Sequence, residues 1–205
     1  MHFQAARLIH LGTDLLLVAR TDSEAATLIT STIDPRDHPF VLGVTNPALQ
    51  PLNDLMIAAE VAGKNGDQLQ SIEDQWIAQS GLKLFDEAVI EAINAGVHVD
   101  KASLIARYKF AVQGKSNSEA RAISKAVTGI DIHWDWDAPR TREGFYRYQG
   151  GCGCAVNRGR VYAPHADLLW MESKLPDYEQ AKEFADGVHK AWPEQKYVFL
   201  RTSFH

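Results

Sequence analysis

Two charged residues stand at the ends of apolar runs, where a folded chain could present them to a ligand. Arg20 follows the run Leu15–Ala19, and Glu172 follows the run Leu168–Met171. A short apolar run bounded by polar residues predicts a strand buried on both faces, as in a parallel sheet. Because α/β folds place active sites at the carboxyl edge of such a sheet, these two residues are the first candidates for a functional site.

The chemistry available to Arg20 is the binding of an anion. Its planar guanidinium can hold a carboxylate through two parallel hydrogen bonds. A structural ion pair is the alternative for both residues, since a strand-end arginine or glutamate often pairs with a neighbouring charge. The spacing in the sequence leaves both interpretations open.

The residues that follow Arg20 predict how it is positioned. Thr21 with Glu24 three residues later has the pattern of a capping box, ahead of the helix-compatible run 25–29. A helix is therefore predicted to begin directly after the first strand. Strand, charge and helix in this order form half of a βαβ unit.

The last quarter of the chain repeats this alternation of strands and helices. Asp177 and Gln180 have the same capping spacing as Thr21 and Glu24. The predicted elements around Leu168–Met171 are helices at Cys154–Tyr162 and from Asp177 to about Trp192, and a strand at Tyr197–Leu200.

A different pattern occupies the middle of the chain. Apolar residues recur there at spacings of three and four, and glycines close most of the segments, which is typical of amphipathic helices. No strand pattern separates them, so an all-helical insertion is predicted at 47–138, between segments at 1–46 and 139–205 that contain the parallel-sheet strands. The predicted helices are Asp67–Ser80, Leu84–Asn94, Asp100–Gln113 and Ser118–Thr128.

Composition narrows the class of protein. The 205 residues have 45% hydrophobic and 23% charged side chains, as in ordinary globular proteins, and a formal net charge of −5. That charge argues against nucleic acid as the main partner. Neither a signal peptide nor a run of ~20 apolar residues is present, so a soluble intracellular protein without a membrane segment is expected.

The usual metal and nucleophile patterns are absent from the sequence. Cys152 and Cys154 are separated by one residue, which suits neither a disulfide framework nor half of a zinc site. The eight histidines show no HxH or HxxxH spacing. No catalytic residue and no metal ligand is therefore assigned.

A loop rich in arginine and aromatic residues precedes the second strand region. It contains Arg140, Arg142, Glu143 and Arg147. Such a loop is predicted either to be held together by its own ion pairs or to surround a pocket for anions.

Several segments taken together resemble isocitrate lyase. The insertion is similar to one found in fungal and plant forms and missing from most bacterial forms. Two of the segments, 150–158 and 172–177, look more like fungal isocitrate lyase than its relative 2-methylisocitrate lyase. The segments that carry the resemblance are Val18–Thr30, Thr141–Tyr146, Gly150–Arg158, Tyr162–Pro164 and Trp170–Asp177.

The resemblance implies a fold and a reaction. The fold is α/β, a partial (β/α)8 TIM-type barrel of two to three βα units with a large helical insertion. The reaction is Mg²⁺-dependent retro-aldol cleavage of isocitrate into glyoxylate and succinate, the entry to the glyoxylate cycle. The family forms homotetramers and is found in the glyoxysome, the peroxisome or the cytoplasm.

The resemblance also bears on individual residues. Arg20 matches the family's substrate-binding arginine, and Glu172 matches a glutamate that lines the same pocket. The Lys-Lys-Cys-Gly-His motif that supplies the family's proton donor does not occur in this sequence, and the metal-binding aspartates of the family are not matched. The chain alone is therefore expected to have little or no activity.

Two alternatives accompany this interpretation. The first is a 2-methylisocitrate lyase homologue, whose substrate differs mainly by one methyl group. The second is a non-catalytic helical fragment that docks on a full-length subunit of the tetramer.

Overall fold

The contacts within the chain divide it into two units, and each unit has its own core. The computed structural model describes residues 16–175 and 177–198. The first unit, the sheet unit, comprises the described residues up to Ala26 and from Gly150 onward. The second, the helical unit, comprises residues 27–149.

The described residues form short strands and longer helices, a mixed α/β composition that confirms the predicted class. In chain order the strands are β1 (Val18–Thr21), β2 (Leu28–Ile29), β3 (Leu42–Gly43), β4 (Lys83–Leu84), β5 (Tyr146–Arg147), β6 (Leu168–Met171) and β7 (Lys196–Val198). The α-helices are α1 (Leu52–Val61), α2 (Gly66–Ser80), α3 (Phe85–Ala95), α4 (Lys101–Ala111), α5 (Asn117–Thr128), α6 (Cys152–Tyr162) and α7 (Tyr178–His189).

The sheet unit is built on three parallel strands in the order β1, β6, β7. Helices α6 and α7 pack on each other, and Phe184 and Val188 of α7 are fully buried with Leu169 and Met171 of β6. The predicted strands at both charged residues are confirmed where the structure describes them. Leu15 and the predicted strand residues after Val198 lie outside the described residues.

Burial on both faces was predicted for the first strand, and that prediction is wrong. Along β1 the side chains alternate: Ala19 is 2% exposed, whereas Val18 is 40% exposed. Successive side chains of a strand point to opposite faces of the sheet. Only the alternate residues on one face of β1 therefore pack into the core of this unit.

The helix predicted directly after Arg20 is also wrong. Thr21 is the last residue of β1, and its hydroxyl oxygen lies 2.8 Å from the Ser23 hydroxyl oxygen. The carboxylate of Glu24 accepts hydrogen bonds from the distant Lys174 and Gln180 rather than from a local amide. Tertiary partners thus replace the capping box, and the chain continues to β2, which pairs with β5.

In the helical unit the four predicted helices are confirmed, with ends within two residues of those expected. Capping boxes at Asn65 and Ser116 begin α2 and α5, and glycines in the left-handed region, Gly81 and Gly129, end them. The sequence pattern missed α1 and the two-residue strand β4, which pairs with β3. The predicted insertion 47–138 lies inside this unit, whose bounds are wider because β2 and β5 pair within it.

Within the described residues, no helix has both the length and the apolar character required to cross a membrane.

Candidate functional site

The parallel pairing of β1 with β6 places Arg20 beside the second strand. Arg20 is in register with Trp170, and Thr21 is in register with Met171. Glu172 follows directly, and its backbone N–H donates to the Thr21 carbonyl at 2.9 Å. The two charges predicted from apolar runs 152 residues apart are therefore brought together at the carboxyl edge of the sheet.

Arg20 is held by two carboxylates. Its Nε donates to Glu172 Oε2 at 3.2 Å, and its Nη2 donates to Asp22 Oδ2 at 3.1 Å. Desolvation is the largest single influence and lowers the pKa of the guanidinium, but the hydrogen bonds and charges of Glu172 and Asp22 together outweigh it and raise the pKa above its usual value. Arg20 is thus a permanent cation in a fixed orientation.

The guanidinium remains open to a ligand despite these partners. The Arg20 side chain is 44% exposed and that of Glu172 is 23% exposed. In the described part of the chain its hydrogen bonds use Nε and Nη2, so Nη1 still has donors to offer. This arrangement can bind an anion, and it is also the ion pair that the sequence allowed as the alternative.

Trp170 is a further residue of the site that the sequence analysis missed. The guanidinium carbon of Arg20 lies 5.4 Å from the centroid of the Trp170 ring, within cation–π range. In the structure Arg20 and Trp170 are the third residues of two four-residue strands, whereas the sequence pattern placed Arg20 after its apolar run. Their parallel pairing could not be read from either strand alone.

The described residues do not by themselves form a site for a magnesium ion. Within 16–175 and 177–198 no three His, Cys, Asp or Glu side chains are grouped so that they could hold a metal. Asp22 and Glu172 are only a pair of carboxylates, and both bind the cationic Arg20. No step of a reaction is therefore derived through a metal at this edge.

The two cysteines lie at the beginning of α6 and do not resemble a reactive site. Cys154 is 1% exposed, and the Cys152 sulfur lies 3.5 Å from the Gln180 carbonyl oxygen. Burial, together with the negative charge of Glu183, raises the pKa of the Cys152 thiol to about 12. A thiol with this pKa is protonated at neutral pH and is a poor nucleophile.

The arginine-rich loop is held by contacts within the helical unit. The partners of Arg142 and Arg147 lie outside the loop, so its own ion pairs are not what mainly holds it, and a pocket for anions at this loop stays a prediction. Arg140 donates to the Gly144 carbonyl and lies over the Tyr146 ring, Arg142 pairs with Glu60, and Arg147 pairs with Glu73.

Comparison with known proteins gives the family. The model of the isocitrate lyase family matches residues 4–205. The isocitrate lyase of Kluyveromyces lactis is 51% identical over 201 residues, which cover 95% of this chain and 37% of that protein. The isocitrate lyase of Saccharomyces cerevisiae is 48% identical over 196 residues, or 94% of this chain and 35% of that protein.

A relative with a different name is less similar. The mitochondrial 2-methylisocitrate lyase of Hypocrea atroviridis is 36% identical over 197 residues, which cover 95% of this chain and 35% of that protein. The chain spans about a third of the length of the curated relatives that it matches. With a family model matched along almost its entire length, the chain belongs to the isocitrate lyase family.

Proposed function

We propose that this chain forms part of an isocitrate lyase, which cleaves isocitrate into glyoxylate and succinate. The observation that carries the proposal is the juxtaposition of Arg20 and Glu172 at the carboxyl edge of β1 and β6. Membership of the family and 48–51% identity to two fungal isocitrate lyases support it. In the whole protein, β1, β6 and β7 would be three neighbouring strands of a (β/α)8 barrel.

The proposed role of these residues is to bind the substrate. In the retro-aldol reaction the hydroxyl loses its proton, the carbon–carbon bond breaks to release the aldehyde glyoxylate, and the remaining carbanion takes a proton to become succinate. Arg20 would hold one carboxylate of isocitrate through its exposed end, while Glu172 and Asp22 keep the guanidinium oriented. No proton transfer is assigned to Arg20, since an arginine is neither an acid nor a base at neutral pH, and none is assigned to Glu172 or Asp22, whose carboxylates bind it.

Further properties of the whole protein follow from the family and belong to the same proposal. They are dependence on Mg²⁺, a homotetrameric assembly, and a place in the glyoxylate cycle in the cytoplasm, glyoxysome or peroxisome. The support for them is family membership alone.

Substitution of Arg20 tests the proposal. Isocitrate and succinate binding to the chain is measured by calorimetry for wild type, Arg20→Gln and Arg20→Lys. A hydrogen-bonded charge contributes about 1.5–3 kcal/mol, so Arg20→Gln is expected to weaken binding about 10- to 150-fold. The affinity of Arg20→Lys is expected to lie between those of wild type and Arg20→Gln, because an ammonium keeps the charge but not the planar arrangement of donors.

Arg107→Gln is the matched control, since Arg107 is an exposed arginine of the helical unit. It should bind both ligands as wild type does. Equal binding by Arg20→Gln and wild type would contradict the role of Arg20. A wild-type chain that binds neither ligand would contradict the proposal that this chain contains a binding site for them.

The alternative substrate is tested in the same experiment. One methyl group in a pocket is worth only about 1–3 kcal/mol, so 2-methylisocitrate and isocitrate should differ measurably in affinity without either being excluded. The lower identity to a 2-methylisocitrate lyase, 36% against 51%, favours isocitrate. The fragment alternative predicts coelution with a full-length family member in size-exclusion chromatography, with no ligand binding by the chain alone.

A further inference from the structure

Glu24 joins the two loops that follow the strands of the candidate site. Its Oε2 accepts a hydrogen bond from the Lys174 backbone N–H at 3.1 Å, and its Oε1 accepts one from Gln180 Nε2 at 3.2 Å. Lys174 is two residues beyond Glu172, and Glu24 is four residues beyond Arg20. The side chain therefore connects the loop after β1 with the loop after β6 and with the first turn of α7.

The backbone around Glu24 is also fixed. Gly150 and Gly151 donate their N–H groups to the carbonyls of Ala26 and Ser23. A Cβ atom on Gly150 would lie 2.2 Å from the Ser23 carbonyl oxygen and 2.7 Å from that of Glu24. Because the main chain at Glu24 packs this closely against Gly150, the Glu24 carboxylate has a defined position relative to the loop after β6.

Two links thus connect the same pair of loops. The first is the ion pair of Arg20 and Glu172, which is partly exposed and lies where the ligand would bind. The second is Glu24 with Lys174 and Gln180, none of which belongs to that ion pair. The second link can keep Glu172 in place while Arg20 engages a ligand.

We propose that Glu24 is a positioning residue that holds the Glu172 loop against the Arg20 strand, so that the two site residues stay in register during ligand binding. The effect of Glu24 on ligand binding rests on the proposed function. Its role in holding the two loops together rests only on the contacts of Glu24.

Hydrogen exchange at single amides tests the structural part. In Glu24→Ala the Lys174 amide loses its acceptor, and its exchange is expected to rise at least about 10-fold, with a smaller rise at the Glu172 amide. Glu24→Gln should restore protection, since its amide oxygen can accept from Lys174 and the Gln180 amide can rotate to accept from its NH₂ group. Unchanged exchange at Lys174 in a folded Glu24→Ala protein would overturn the proposal.

A second variant and a control keep the test decisive. Gln180→Ala removes one partner of Glu24 and should raise exchange of the Lys174 amide less than Glu24→Ala does. This variant replaces Glu24→Ala as the test if circular dichroism shows that Glu24→Ala is unfolded. In that case, unchanged exchange of the Lys174 amide in Gln180→Ala would overturn the proposal. Glu194→Ala removes an exposed carboxylate of the same unit and should leave the Lys174 amide unchanged. A rise of equal size in that control would overturn the proposal by showing a general effect of lost charge.

Succinate affinity gives the functional readout. Glu24→Ala is expected to weaken succinate binding about 3- to 10-fold, and Glu24→Gln is expected to restore it. Both variants lose the negative charge, so recovery in Glu24→Gln would show that the hydrogen bonds of residue 24 matter and its charge does not. Wild-type affinity in Glu24→Ala would overturn the positioning role. If wild type binds no succinate while the exchange result holds, the proposed function fails and the structural role of Glu24 is supported.

Discussion

At the scale of single residues, the ion pairs of Arg20 are too exposed to contribute much to the stability of the fold. Arg20 has two carboxylate partners, and its side chain is still 44% exposed. Exposed ion pairs contribute about 0–1 kcal/mol to folding, because water screens them and ordering two long side chains has an entropic cost. Substituting Arg20 is therefore expected to affect ligand binding far more than it affects folding.

A partly buried carboxylate in the helical unit has a shifted pKa. The Tyr108 hydroxyl, fully buried, donates to Asp86 Oδ1 at 2.6 Å. Burial raises the pKa of Asp86 and outweighs the hydrogen bond from Tyr108, which lowers it. The same burial and the adjacent Asp86 raise the pKa of Tyr108.

The raised pKa of Asp86 predicts a pH dependence of stability. The folded state holds the Asp86 proton more tightly than the unfolded chain does, so the contribution of this group falls as pH rises from about 4 through its raised folded-state pKa. Asp86→Asn keeps an acceptor for Tyr108 without a charge. Its free energy of unfolding in urea, relative to wild type, is expected to increase between about pH 3 and pH 7.

Asp131→Asn is the control for that measurement, since Asp131 is a mostly exposed aspartate of the same unit. It should show a much smaller relative change over the same pH range. A relative stability of Asp86→Asn that decreases with rising pH would contradict the assignment of burial as the dominant cause.

At the scale of elements, the loop after β1 depends on the start of α6. Three backbone carbonyls, those of Ser23, Glu24 and Ala26, converge on Gly150. Because these are main-chain atoms, they cannot move aside as a flexible side chain could. The position of the Arg20 strand end is thus tied to a glycine that lies 130 residues later in the chain.

Gly150→Ala tests this dependence. The added Cβ would lie 2.2–2.9 Å from the three carbonyl oxygens, so the loop must shift. A loss of about 1–3 kcal/mol in the free energy of unfolding is expected, as for other overpacked sites, with increased exchange of the Gly151 amide. Gly66→Ala is the control, since a Cβ there meets no atom within 4 Å; a similar loss in both variants would contradict the steric explanation.

At the scale of the whole molecule, the two units have separate cores. The helical unit contains one cluster around Val89, Ile93 and Tyr108 and another around Leu52 and Trp76. The sheet unit has its own cluster around Leu169 and Phe184. The ends of the helical unit meet, because the Tyr148 N–H donates to the Thr27 carbonyl at 2.8 Å.

Residues 27–149 are therefore expected to fold on their own. A protein of these residues should show helical circular dichroism and a single cooperative thermal transition, because its apolar clusters and strand pairs are complete within it. Tyr108→Ala should lower the transition temperature markedly, whereas Phe110→Ala, at an 80% exposed position, should not. A gradual transition without cooperativity would contradict this expectation.

The sequence by itself determined most of the helices, the strands at the two charged residues, and the family. Helices such as α5 were predictable because the apolar spacing and the closing Gly129 lie within a few residues of one another. The strands at Arg20 and Glu172 were predictable from short apolar runs for the same reason. The family was predictable because its motifs are contiguous segments of sequence.

Only the tertiary structure decided which distant groups these residues bind. Glu24 has the spacing of a helix cap, yet its carboxylate binds Lys174 and Gln180 instead, about 150 residues away, and no helix forms. The same holds for the pairing of Arg20 with Glu172 and its position over Trp170. A local pattern states what a side chain can accept or donate, but the partner it obtains depends on strand pairing and packing between segments far apart in the chain.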